Sequence, residues 1–117
     1  MDVLATLLVG LVAALHLYFL VLEMFLWTRP TGLRTFGNDP AFAQASKVLA
    51  ANQGLYNGFL VAGLVWGSVA SRSDVTIFFL ACVIVAGVYG AATVSRRILV
   101  VQAVPALLAL GAVLAAR

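Results

Sequence analysis

The chain has 117 residues, of which 64% are hydrophobic and only 9% charged, and its mean hydropathy is +1.12. A soluble domain is about a quarter charged, so there is too little polar surface here to cover a water-soluble globule, and a single integral membrane domain is expected. The net charge of +3 does not point to a nucleic-acid partner, because the seven basic residues are scattered over segment ends and form no patch.

Four apolar runs follow one another, at about residues 3–27, 48–70, 75–94 and 98–116. Each is near the ~20 residues that cross a bilayer as a helix. Backbone groups in hydrocarbon must be satisfied within the element, and no barrel-like alternation is present, so an all-α bundle of four helices is expected over residues 1–117. No basic residue precedes the first run and no convincing cleavage site follows it, so that run is expected to be retained as a transmembrane helix. Inside it stand His16 and Glu23, seven residues apart and therefore on one face, roughly 10 Å apart along the axis. An ionisable group at that depth costs on the order of 2.5 kcal/mol or more, so it calls for a partner or a task.

The link from Thr28 to Ser46 is the only long one. Arg29-Pro30 reads as the end of the first helix, since proline disfavours helix at the residue before it. Asn38-Asp39-Pro40 reads as a restart, with Asp39 as the cap and Pro40 in the first helical position. A second helix running from there to Ala70 would be roughly 46 Å long, more than the ~30 Å hydrocarbon core, so its first turns should lie at or above the membrane surface. Phe36 and Phe42 suit an interfacial position. The remaining links, Ser71 to Asp74 and Ser95 to Arg97, are short and make sequential helices antiparallel. Arg29, Arg34, Lys47, Arg96 and Arg97 then share one side, against Arg72 and Arg117 on the other. The positive-inside rule places the first group in the cytoplasm and both termini outside.

With that topology the polar residues can be placed by depth. Asn52, Gln53, Tyr56 and Asn57 open the second span and fill one arc of about 140° on a helical wheel. Tyr89 closes the third span, and Gln102 lies one turn into the fourth. All of these, with Glu23 and the flanking Trp27, fall in the cytoplasmic half, and the cost of unmatched polar groups in hydrocarbon should turn them toward one another. A polar pocket is expected, formed by His16, Glu23, Trp27, Asn52, Gln53, Tyr56, Asn57, Tyr89 and Gln102. The alternative is that the amides glue helices together, each for about 0.6–2 kcal/mol, and that Glu23 pairs with Lys47, Arg96 or Arg97. A metal centre is not expected, since there is one histidine and no ligand-type spacing, and Cys82 stands alone as a small hydrophobe. No cofactor-binding motif or serine triad is present.

Gly54 with Gly58 and Gly63 with Gly67 repeat the small-xxx-small spacing that lets helices approach closely. On the wheel Gly54 and Gly58 lie beyond the polar arc, so one face of the second helix is expected to meet the pocket and another to meet a neighbouring helix, in the same chain or in a second copy of a homo-oligomer. Pro105 should kink the fourth helix and free a carbonyl near Gln102.

The strings His16-Leu17-Tyr18, Leu22-Glu23-Met24-Phe25-Leu26-Trp27, Asn52-Gln53-Gly54-Leu55-Tyr56-Asn57-Gly58 and Tyr89-Gly90-Ala91, with Gln102, resemble a family of small four-helix bacterial membrane proteins catalogued as a domain of unknown function. The resemblance covers essentially the whole chain. It implies a bacterial inner-membrane, multi-pass setting and supplies no activity. In length, helix number and a lone glutamate in the first helix the chain is also similar to the small multidrug resistance transporters. Members of that group that insert both ways need nearly balanced loop charge, whereas the five-to-two split here argues for one orientation.

Three functions are weighed in order. The first is binding or transport of a lipophilic or amphipathic small molecule, with Glu23 as anchor and proton-coupled if Glu23 exchanges protons. The second is a membrane-embedded isomerase or cyclase using Glu23 and His16 as acid and base. The third is a structural or partner-binding subunit that works through the glycine faces.

Overall fold

The computed structural model describes residues 1–117. The chain is all-α, with α1 over Val3–Met24, α2 over Pro30–Phe36, α3 over Pro40–Val69, α4 over Ser73–Thr93 and α5 over Val104–Ala115, and a π-helical segment over Leu99–Ala103 before α5. Three of these, α1, α3 and α4, are long and apolar enough to cross a membrane, and Leu99–Ala115 is a shorter apolar helix.

Five α-helices are therefore present, not four. The extra element is α2, which occupies the long link. Pro30, read from the sequence as a terminator, instead opens this helix at its first position, where its missing N–H costs nothing. Arg29 before it is extended (φ −87°, ψ 161°), as a residue preceding proline should be. α2 closes at Gly37, whose φ of +68° is left-handed and whose N–H bonds to the Leu33 carbonyl, a helix stop for which glycine is the natural residue. α1 ends earlier than expected, at Met24. The Phe25 and Leu26 amides both reach the Val21 carbonyl, at 3.0 and 3.2 Å, so the last turn widens and stops.

Asp2 caps α1 through the Ala5 amide at 2.8 Å, and Asp39 caps α3 through the Phe42 amide at 2.8 Å, with Pro40 following it. Replacing Asp39 by alanine leaves that amide unmatched. The expected outcome is a loss of about 1 kcal/mol, read as a lower thermal midpoint of helicity in detergent.

The chain divides into two units by its backbone contacts, Met1–Leu15 with Leu60–Arg117, and His16–Phe59. In the first unit Ala5, Val9, Val12 and Ala13 form one buried stripe of α1. They share a core with Leu64, with Leu80 and Val83, and with Ala106, Ala109 and Val113. The small residues let helix axes come close. A Cβ on Gly63 would overlap the Phe79 ring, one on Gly67 would lie 2.9 Å from the Thr76 amide nitrogen, and one on Gly87 would lie 2.9 Å from the Ala103 amide nitrogen. Large apolar residues point outward along the same helices, among them Leu4, Leu7, Trp66, Phe78 and Val85.

In the second unit the carboxy-terminal half of α1 is joined through α2 to the amino-terminal half of α3. Leu22, Ala43 and Ala50 are buried there. Gly54 and Gly58 meet Leu20, Glu23 and Met24 of α1.

Candidate functional site

The site is built on the last turn of α1. Glu23 is only 3% exposed, in a helix whose other side chains nearby are apolar. α3 comes against it at Gly54, where a Cβ would lie 2.6 Å from Met24 Cγ, 3.2 Å from Glu23 Cβ and 3.3 Å from the Leu20 carbonyl oxygen. Gly58, one turn on, meets Leu20 Cδ1 in the same way. The missing side chains bring the flanking residues of α3 within reach of the carboxylate. Gln53 Nε2 donates to Glu23 Oε2, and Asn57 Nδ2 donates to Oε1. One amide thus serves each oxygen.

This corrects the expectation that the glycines and the polar residues of this helix would face different neighbours. Gly54, Gly58, Gln53 and Asn57 all meet α1, the close approach at the glycines bringing the flanking amides to the carboxylate on the facing helix. The partners of Glu23 are neutral amides, not Lys47, Arg96 or Arg97; an ion pair is formed elsewhere, by Arg72 and Asp74 at 2.8 Å. An ionised carboxylate offers about four lone-pair positions, so two amide donors orient it without filling it. The arrangement can accept a further donor or a cation.

His16 is fully buried two turns earlier on α1 and meets Phe19 edge-on, with ring centroids 5.2 Å apart. Trp27 is not on the helix. With α1 ended at Met24 it sits in the turn, donates its indole N–H to Ser46 Oγ at 3.0 Å and packs on Phe36 at 4.9 Å. Its described contacts anchor the link. Asn52 and Tyr56 are exposed, Tyr56 at 63%, with its ring against Phe59. Tyr89 and Gln102 belong to the first unit. Tyr89 is 71% exposed there, and Gln102 is half-buried in the π-helical segment. Of the nine expected residues, Glu23, Gln53 and Asn57 are joined to one another by hydrogen bonds within the second unit.

Three residues of the second unit escaped the sequence reading. Ser46 Oγ accepts a hydrogen bond from the Trp27 indole N–H and donates its own O–H to the Phe42 carbonyl at 2.7 Å. Gly32 lies buried against the turn that ends α1. Asn38 holds its side-chain nitrogen out of solvent without a hydrogen-bond acceptor. Seven-residue helices leave no apolar periodicity to read, so nothing in the sequence announced a backbone contact at Gly32.

Fold and site together define a small all-α protein with apolar spans and a buried carboxylate clamped between two helices. The chain belongs to the family described as "Protein of unknown function (DUF1304)", which matches residues 10–114. It is 32% identical over 114 residues to the Uncharacterized protein YpaA of Lactococcus lactis subsp. lactis (strain IL1403), covering 94% of this chain and 96% of that one. No solved structure matches it.

Proposed function

We propose that this protein binds, and carries across the bilayer, a lipophilic or amphipathic small molecule that uses the Glu23 carboxylate as its polar anchor. The observation that carries the reading is the clamp itself. A 3%-exposed acid between apolar helices is held by two neutral amides, which orient the charge without cancelling it. A ligand with a cationic or strongly donating group and an apolar body matches such a site, the body lying along the exposed apolar side chains of α1 and α3. Proton coupling follows if the same carboxylate exchanges a proton for the ligand.

In this reading the chain is an antiparallel bundle of four spans, α1, α3, α4 and the Leu99–Ala115 helix, in a bacterial inner membrane, with both termini outside. The loop charges support it. Gln53 and Asn57 then stand in the cytoplasmic half, and the site is reached from that side.

The test is native mass spectrometry of the purified protein, with identification of any co-purifying small molecule, for the wild type and Glu23→Gln. A ligand present in the wild type and reduced at least tenfold in the variant, about 1.4 kcal/mol, supports the site. A ligand held equally by both, or absent from both with unchanged assembly, removes it.

A further inference from the structure

We propose that the ledge formed by α2 and the start of α3 is a binding surface for the headgroup of an anionic phospholipid. This rests on the membrane-spanning part of the reading above and is independent of the Glu23 site.

The ledge is tied together by one side chain. Trp27 ties three parts of it together, by its ring on Phe36 at the end of α2 and by its N–H on Ser46 in α3. The basic residues are all within two positions of those three anchors: Arg29 after Trp27, Arg34 before Phe36, and Lys47 after Ser46. All three are exposed. Between Phe25 and Val48 the one acidic residue is Asp39, and its carboxylate is occupied in capping α3. The ledge thus presents three cations whose charge nothing in the segment is placed to neutralise.

Depth and hydrophobicity agree with charge. α3 has 30 residues and is about 45 Å long, so some 15 Å of it, about its first ten residues, stands beyond a ~30 Å hydrocarbon core. That puts Phe42, Ser46 and Lys47 at headgroup level. Phe25, Phe36 and Phe42 are all exposed, at 66%, 40% and 54%. Aromatic rings beside cations suit the boundary where a phosphate lies above an acyl chain. Arginine in particular takes a phosphate through two N–H groups at once.

The test uses the full-length chain in nanodiscs. Trp66→Phe leaves Trp27 as the sole tryptophan. Its fluorescence is read with brominated phosphatidylglycerol or with brominated phosphatidylcholine at the same mole fraction. Bromine sits at the same depth in both lipids, so depth alone produces no preference. Each basic residue that engages an anionic surface is worth about fivefold in local enrichment, so several-fold stronger quenching by the phosphatidylglycerol is expected. Arg29→Gln/Arg34→Gln/Lys47→Gln should abolish that preference, and Arg29→Lys/Arg34→Lys should largely keep it. Equal quenching by the two lipids in the parent, or a preference unchanged in the triple glutamine variant, overturns the proposal. Failure of the parent to enter nanodiscs at all would instead overturn the membrane reading beneath it.

Discussion

Alanine at Gly32 is expected to lower the stability of the chain by about 3 kcal/mol, the upper range for overpacking a close contact. The added Cβ would overlap the Leu26 carbonyl oxygen and lie 2.7 Å from the Leu26 carbonyl carbon and 3.1 Å from Trp27 Cα. All three are backbone atoms, so no side chain can rotate out of the way. α2 must lift off the turn, and Phe36 leaves Trp27 with it. Thermal unfolding in detergent, followed by helicity, gives the loss, and a change in Trp27 fluorescence locates it. Gly10 and Gly111 supply the control, since a Cβ at either meets nothing within 4 Å. Alanine at those positions should be neutral or slightly stabilising, because glycine in a helix interior costs roughly 0.5–1 kcal/mol. A Gly32→Ala protein that melts like the wild type would show that α2 is not seated as described.

The second large effect is at Glu23. Leucine there removes the acceptor for both Gln53 and Asn57, and each unmatched donor costs about 1–3 kcal/mol where water does not replace the lost partner. Glu23→Leu is therefore expected to be destabilising by about 2–6 kcal/mol, whereas Glu23→Gln keeps an acceptor and folds. Combining Glu23→Leu with Gln53→Leu and Asn57→Leu removes donors and acceptor together, which should recover most of the stability. The comparison separates two roles. If the clamp serves packing alone, the triple leucine variant regains every property of the wild type. If it serves a ligand, stability returns and binding does not.

The grouping of Glu23 with Gln53 and Asn57 was legible in the sequence because membrane depth and helical phase constrain polar residues on spanning helices tightly. Phase alone could not say which part of a 140° arc turns inward. Asn52, Gln53 and Tyr56 shared the arc and are all exposed, yet the Gln53 amide reaches Glu23 from the edge of the contact, so the wheel alone did not single it out. The capping of α3 at Asp39-Pro40 was legible for a local reason: side chain, proline and amide all lie within four residues. α2 was not, because its placement depends on a backbone contact across the turn and not on any pattern of its own. Trp27 was misplaced for a related reason. Where α1 stops is decided by two amides sharing the Val21 carbonyl, which no residue type signals. At Pro105 the expected disturbance took a specific form. The Val104 amide reaches back five residues to the Leu99 carbonyl, so the turn ahead of the proline is widened, which eases the clash that its ring would otherwise make with the carbonyl four residues earlier.

That widened turn also has a bearing on how the chain tolerates changes of length. A turn closed over five residues holds one residue more than an α-helical turn of the same height. Between Leu99 and Ala103 the chain therefore carries a spare residue. Losing one residue elsewhere in a span rotates everything beyond it by about 100° and takes its buried face out of the core. Losing one here lets the turn tighten to an ordinary helix, while Ala106, Ala109 and Val113 on one side and the Ser95 link on the other keep their faces.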